Sequence, residues 1–449
     1  IKEVPFNNEE QADAALALAY KTYLDRDRWM TPYRRISILE KAIILLEERK
    51  EQLAKEAAEE GGKPFVDSLV EANRAVSCVK VAIEQISHLN GKQIPMNITE
   101  SSAHRMAYTY REPVGVVLAI SAFNHPLNLI AHQVVTAVAS GCPVIVKPAT
   151  STPISCFNFV NILYEAGLPL EWCQIIACDN AVAERMVSDT RISYLSFIGS
   201  SKVGWYLRTK LASGAKCVLE HGGAAPVIVE ADADMSDALP LLVKGGFYHA
   251  GQVCVSVQRV YVHEKICKVL AKQMADLASA LIVGDPVDPK TEVGPLIATK
   301  EVDRVDNWVK QAITNGAKLL CGGNKISNTC YEPTVLLDPP DDVQVSQLEI
   351  FGPVVCIYSY KSREKAIERA NKLPFSFQAS VFTKNIDIAL DTVRRLNAVA
   401  VMVNDHTAFR VDWMPFGGRK QSGLGLGGIP YTMEDMTYEK MMVIRSSVL

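Results

Sequence analysis

The chain of 449 residues has no uninterrupted apolar run of eighteen residues, so a hydrophobic membrane-spanning helix is not expected. Its first residues, IKEVPFNNEE, lack the basic, apolar and small-residue regions of a secretory signal. Charge of neither sign dominates: 47 basic against 50 acidic residues leave a formal charge of -3, which does not favour a nucleic-acid partner. No CxxC pair and no dense, regular cysteine spacing occurs. The eleven cysteines are scattered, which argues against a secreted disulfide scaffold and for a reducing, cytoplasmic setting. Most of them stand in apolar stretches such as IIAC ending at Cys178 and PVVC ending at Cys356, where cysteine acts as a small buried hydrophobe. Internal repeats and low-complexity tracts are also missing.

What is present describes a globular protein too long for one core, with two large domains and a smaller appendage expected. From Asp13 to about Gly61, apolar residues recur at spacings of three and four, the pattern of amphipathic helices. Between Pro113 and Val229, short β-rich runs (VGVVLAIS, PVIVK, CQIIA, ISYLSFI, KCVLE) alternate with helical ones, which predicts a Rossmann-like parallel sheet covered on both faces. A second alternation runs to about Gly428, with helices expected at 236–247, 264–282, 299–315, 363–371 and 386–396. Residues 93–112 suit an extended hairpin, and the tail from Tyr431 ends in the strand-like MMVIRSSV. Two extended segments outside the sheets suggest an arm that pairs with another subunit. The expected division is 1–92 with 114–222, then 223–428, with 93–113 and 429–449 as the arm.

Three residues invite a chemical reading. Cys254 follows the Gly251-Gln252 pair and precedes a β-branched run, a place for either a reactive thiol or a buried one. Glu220 leaves an apolar strand just before two glycines, as a surface carboxylate or a working one would. Asn124 follows the first predicted parallel strand, where ligand-facing loops of open α/β sheets sit and where asparagine is also common in turns.

Taken in order along nearly the whole chain, the motifs resemble the aldehyde dehydrogenase superfamily. SAFNHPLN is similar to its oxyanion-asparagine motif, PVIVKPAT to its cofactor-ribose strand, FIGSSKVG to its glycine-bearing cofactor turn and LEHGG to its general-base motif. GQVC resembles the nucleophile motif, LEIFGPVV the nicotinamide-ribose motif and MPFGGRKQSGLG a late active-site signature. The resemblance implies an α/β fold with a Rossmann-like cofactor domain, a second α/β catalytic domain and an oligomerisation arm, in a homodimer or homotetramer. It implies oxidation of an aldehyde to a carboxylic acid through a thiohemiacetal and a thioester. Cys254 would be the nucleophile, Glu220 the base that activates water, and Asn124 would share the oxyanion with the Cys254 N–H.

For the cofactor, the resemblance assigns Gly199, Ser200 and Gly204 to the phosphate turn, Lys147 to the adenosine ribose, Glu349 to the nicotinamide ribose and Phe351 to the ring. The turn is not a complete GxGxxG, and the order of strand, turn and helix carries it. Members preferring NAD commonly carry glutamate three residues after this lysine. Thr150 stands there instead, which removes repulsion of a 2′-phosphate and predicts NADP in preference to NAD.

The substrate is expected to be a small hydroxylated or anionic aldehyde, with lactaldehyde, glyceraldehyde phosphate and succinate semialdehyde as candidates. His125 and Asn128 flank Asn124, and Arg410 precedes PFGG. Arg410 would bind an anion through its planar fork or pair with Asp405 or Asp412 at the surface, and Trp413 would wall the pocket or pack the core. The pattern departs at His221, where leucine is common, and at YHAGQVC, which replaces a more usual phenylalanine and asparagine arrangement. Two rivals are a coenzyme A-acylating dehydrogenase, against which Glu220 argues, and a non-catalytic scaffold, against which Asn124, Glu220 and Cys254 argue together. The spacing of cysteines and histidines offers no close ligand set, so no metal is expected.

Overall fold

The computed structural model describes residues 3–449. Three helices open the chain, α1 (Glu9–Leu24), α2 (Pro32–Gly61) and α3 (Phe65–Ile86). The expected helical stretch is thus interrupted, because Pro32 takes the first helical position of α2 behind Thr31, whose side chain accepts from the Arg34 N–H. Helix α3 is an addition to the sequence reading. Its buried Ala72, Val76, Val79 and Ile86 carry helical spacing and join the core shared with α2.

Strands β1 (Gln93–Ile94) and β2 (Arg105–Pro113) pair antiparallel, but the main partner of β2 is the carboxyl-terminal strand Thr437–Arg445, from Thr437↔Pro113 to Arg445↔Arg105. The tail expected to be arm throughout is divided. Ile429–Asp435 is a helix whose Ile429 and Met433 are fully buried with Met436 in the same core as α3, so only the residues beyond Met436 are free to extend.

The first sheet is built from β3 (Val116–Ile120), α4 (Asn128–Ser140), β4 (Val144–Lys147), α5 (Ile154–Glu165), β5 (Cys173–Ile175), α6 (Asn180–Ser188), β6 (Ile192–Ile198), α7 (Ser201–Lys210) and β7 (Lys216–Glu220). Its parallel strands lie in the spatial order β5-β4-β3-β6-β7, with Gly423–Leu424 added antiparallel to β7. The order reverses between β3 and β6. A crevice opens at the carboxyl ends of strands at such a switch point, which is where open α/β sheets bind ligands.

The second sheet begins with β8 (Ala225–Val229), α8 (Met235–Phe247) and β9 (Val257–His263). Its seven strands run in the order Lys318–Cys321, Thr334–Leu337, Val354–Tyr360, β9, β8, Gln378–Phe382, Ala400–Val403, all parallel except the first. Its strands Val227–Val229 and Val260–Val262 are almost wholly buried, as a parallel sheet covered on both faces requires. No helix among the described residues is long and apolar enough to cross a membrane.

Candidate active site

A cavity of about 700 Å³ is lined by residues from both sheets. Ser121–Asn124 enter it from the end of β3, Ile198–Ser200 from the end of β6 and Glu220 from the end of β7, while Cys254, Glu349, Phe351 and Arg410 come from the second half of the chain. Cys254, Glu220 and Asn124 therefore face one space.

Helix α8 stops at Phe247, and the chain turns through three successive left-handed residues, His249 (φ 49), Ala250 (φ 53) and Gly251 (φ 69). For a residue with a Cβ this conformation costs on the order of 1–3 kcal/mol, so the surroundings must hold the turn in place. It delivers Cys254 partly buried among Val253, Val255, Phe377 and Phe416. Burial pushes the thiol up to about 12 against the opposing charge of Arg410, and Glu349 and Glu220 push it further in the same direction as burial. Asn124 Nδ2 donates to the Gln252 carbonyl at 2.9 Å, tying the β3 loop to the loop that carries Cys254.

Glu220 is no surface carboxylate. Burial raises its pKa and Arg410 opposes the shift. Its Oε1 occupies the space above Gly427, where a Cβ would come within 2.2 Å. The next residue, His221, is buried with its ring edge-on to Phe197 and Trp205. Its Nδ1–H donates to the Gln421 carbonyl at 3.0 Å, and Nε2 rests without a partner against Gly204.

Gly199, Ser200, Val203, Glu349 and Phe351 also line the cavity. Ser200 caps α7 without committing its hydroxyl to the helix, which leaves that hydroxyl and the positive helix end for an anion. Gly204 packs under His221 and does not line the space. Glu349 Oε1 accepts the Gly223 N–H at 3.2 Å and fills the volume that a Cβ on Gly222 would need, at 1.5 Å. Burial pushes its carboxyl up to about 8. Phe351 is left-handed (φ 48) and meets Phe123 edge-on at 5.8 Å. Thr150 lines an adjoining pocket of about 180 Å³ with Ser151 and Cys178, and Ala149 borders both spaces. Lys147 is buried and lines neither, its Nζ donating to the Pro148 carbonyl at 3.4 Å.

His125, Asn128 and Arg410 line the same cavity, joined by Arg74, Lys244 and Tyr248. The expected pairing of Arg410 with Asp405 or Asp412 is not made. Asp412 Oδ1 is already held by Arg74 at 2.6 Å and His132 at 2.8 Å. Arg410 instead lies over the Phe416 ring, 3.5 Å from its centroid. Trp413 is 56% exposed and neither walls the cavity nor packs the core. Asn128 is buried with Oδ1 accepting from Cys78 Sγ at 3.3 Å.

The model of the aldehyde dehydrogenase family matches residues 1–442. The chain belongs to that family. As an aldehyde dehydrogenase it is an NAD(P)-dependent oxidoreductase, and its relatives agree in size and fold. It is 38% identical to the 3-sulfolactaldehyde dehydrogenase of Priestia megaterium over 415 residues, covering 92% of this chain and 87% of the relative. It is 36% identical to the lactaldehyde dehydrogenase of Methanocaldococcus jannaschii over 449 residues, 99% of this chain and 95% of that one. Among solved structures, the glyceraldehyde-3-phosphate dehydrogenase GapN of Methanocaldococcus jannaschii complexed with NADP superposes with a TM-score of 0.94 at 35% identity, covering 99% and 96%. Aldehyde dehydrogenase 21 of Physcomitrella patens, in complex with its reaction product succinate, gives 0.95 at 34%, covering 99% and 92%.

This aldehyde dehydrogenase also carries site residues that the sequence reading missed. Lys63 and Glu71, 0% and 1% exposed in their side chains, form a buried ion pair of 2.8 Å. Glu71 Oε1 accepts the N–H groups of Leu127 and Asn128 at 2.8 and 2.9 Å, fixing the start of α4 four residues after Asn124. The helical spacing of α3, which carries Glu71 and Arg74, was the available signal. Cys78, His132 and Asp412 bring three donor atoms within 4.8 Å of one another, a grouping that spacing along the chain does not reveal. Asp412 is spent on Arg74 and His132, so the charge of that carboxylate is already balanced.

Proposed function

We propose that this aldehyde dehydrogenase oxidises a small, hydroxylated or anionic aldehyde to its carboxylic acid through a thioester on Cys254, with NADP preferred. One observation carries the substrate reading: two guanidinium groups, Arg74 and Arg410, line the same cavity as Cys254, and Arg410 makes no ion pair among the described residues. A cation without a carboxylate partner is suited to a sulfonate, phosphate or carboxylate. The names of relatives, acting on 3-sulfolactaldehyde, glyceraldehyde 3-phosphate and lactaldehyde, or holding succinate, support a substrate of this kind.

Cys254 gives up its thiol proton to solvent, the thiolate attacks the carbonyl carbon, and the resulting oxyanion is held by Asn124 Nδ2–H and the Cys254 N–H. That backbone N–H donates to no carbonyl among the described residues. The nicotinamide, when bound, supplies the hydride acceptor. Glu220, whose carboxylate makes no hydrogen bond among the described residues and is raised in pKa by burial, takes a proton from the water that cleaves the thioester. Glu220 therefore favours hydrolysis over transfer to coenzyme A.

The cofactor reading rests on the fit of the residues around Ser200 and Glu349 in the cavity lining. Ser200 and the α7 terminus would hold the pyrophosphate, Glu349 the nicotinamide ribose and Phe351 the ring, with Thr150 beside a 2′-phosphate, whereas Lys147 lines neither pocket. For assembly, the exposed Met441, Met442, Val443 and Ile444 on the arm strand support pairing with a second copy.

A panel of 3-sulfolactaldehyde, glyceraldehyde 3-phosphate, succinate semialdehyde, lactaldehyde and propanal, each with NADP and NAD, tests the reading. An anionic aldehyde is expected to exceed propanal in kcat/KM by on the order of 100-fold. Equal use of propanal would overturn the substrate class, and aldehyde-dependent turnover by Cys254→Ala would overturn the nucleophile.

A further inference from the structure

The GQVC motif contributes a second residue besides its cysteine. Gln252 is 0% exposed, and every polar atom of its side chain is engaged. Its Oε1 accepts the Ile297 N–H at 2.9 Å, while Nε2 donates to the carbonyls of Pro295 at 3.2 Å and His249 at 3.3 Å. Its own N–H donates to the His249 carbonyl at 3.0 Å. The side chain thus pins its peptide to a distant segment, Pro295–Ile297, and closes the left-handed turn at His249 and Ala250. A turn of two residues strained by their Cβ atoms persists only where neighbours over-determine it.

The Gln252 carbonyl has one further partner, Asn124 Nδ2. A carboxamide is nearly symmetrical in shape, and its two faces have opposite chemistry: Nδ2 donates and Oδ1 repels an oxyanion. A fixed carbonyl at 2.9 Å accepts one Nδ2 hydrogen and thereby excludes the flipped amide, which would set two oxygens together. The second Nδ2 hydrogen is left for the cavity that Asn124 lines.

We propose that Gln252 is a positioning residue, which orients its own main-chain carbonyl through the Pro295–Ile297 contacts and so locks the Asn124 amide with its N–H toward the developing oxyanion. The assignment rests on the reading of Asn124 as an oxyanion donor. It adds that the donor is oriented from the opposite sheet, by the loop that carries the nucleophile. An oxyanion donor oriented before reaction needs no reorganisation when charge develops, and that preorganisation is the source of its effect.

A double-mutant cycle of Gln252→Leu and Asn124→Ala tests it, read as the single-turnover rate of NADPH formation at saturating NADP. Gln252→Leu alone is expected to slow this step by on the order of 10- to 100-fold, with the KM for NADP unchanged and the alkylation of Cys254 by iodoacetamide retained. In the Asn124→Ala background the same substitution is expected to cost less than about threefold, because the group it acts through is gone. An equal factor in both backgrounds overturns the proposal and makes Gln252 a packing residue. A full rate in Asn124→Ala alone would instead remove the oxyanion reading of Asn124. Should Gln252→Leu fail to fold, Gln252→Glu, which keeps the acceptor for Ile297 and loses the donor, enters the same cycle with the same criterion.

Discussion

Arg74 Nη2 donates to Asp412 Oδ1 across 2.6 Å, and His132 Nε2 meets the same oxygen at 2.8 Å. Arg410, two residues before Asp412, is thereby left over the Phe416 ring with its charge directed at the cavity. Its pKa is lowered by burial and by Arg74, with Glu220, Asp412 and Cys254 opposing. Arg410→Met is expected to lower kcat/KM for an anionic aldehyde by on the order of 100-fold and for propanal by only a few-fold. Equal losses for both substrates would place Arg410 in the catalytic step and not in substrate selection.

The Asp412 cluster makes stability depend on pH. Burial holds His132 down to about 4, so the unfolded chain, with its imidazole near 6.5, binds the extra proton first as pH falls. The Asp412 carboxylate is held well below its usual range by His132 and Arg74, in spite of burial, and its contribution is lost as pH falls through that depressed value. Both signs agree: stability is full above about 6.5 and declines toward pH 4. Urea unfolding midpoints at pH 7 and pH 5 measure the slope, and His132→Asn is expected to flatten it.

The thiol of Cys254, pushed up to about 12 by burial, is protonated in the cofactor-free protein near neutrality. Only the thiolate alkylates. The rate of modification by iodoacetamide is therefore expected to rise about tenfold per pH unit from pH 6 to pH 9 without a plateau. Arg410→Met removes a stabilising charge and is expected to slow it further. A plateau below pH 8 would contradict this environment for the thiol.

Thr150 borders the pocket next to the end of β4, where a carboxylate would face a 2′-phosphate. Thr150→Glu is expected to shift the ratio of kcat/KM for NADP over NAD toward NAD by at least about tenfold. A purified protein that already prefers NAD strongly would refute the assignment.

Gly204 and His221 share one space. A Cβ on Gly204 would stand 2.0 Å from His221 Nε2 and 2.9 Å from the Phe197 ring. Gly204→Ala is expected to lower the melting temperature and raise the KM for NADP by displacing α7, at a cost of about 1–3 kcal/mol. His221→Ala in the same chain is expected to restore part of both losses. Full additivity of the two substitutions would show that the contact does not govern α7.

Much of the fold was legible because its signals are local. The β-branched runs at 116–120 and 144–147 are buried on both faces, and such strands need no alternation to be read. Helix α3 escaped, although its spacing was regular, and with it went Glu71 and Arg74. In the tail the strand-like end dominates the local pattern, while the three buried residues of 429–436 declare themselves only against the core they fill.

The sequence by itself determined which side chains are available for chemistry: a cysteine after a glycine turn, a glutamate leaving a strand and an asparagine at a strand end. Each is announced by its neighbours in the chain, since turns and strand ends are short-range physics. Only the tertiary structure decided how those side chains are held and charged. Arg74 and Asp412 are 338 positions apart, and Asn124 and Gln252 are 128 apart. Their bonds form because two sheets meet across a cavity, and the packing that brings them together is a property of the whole chain.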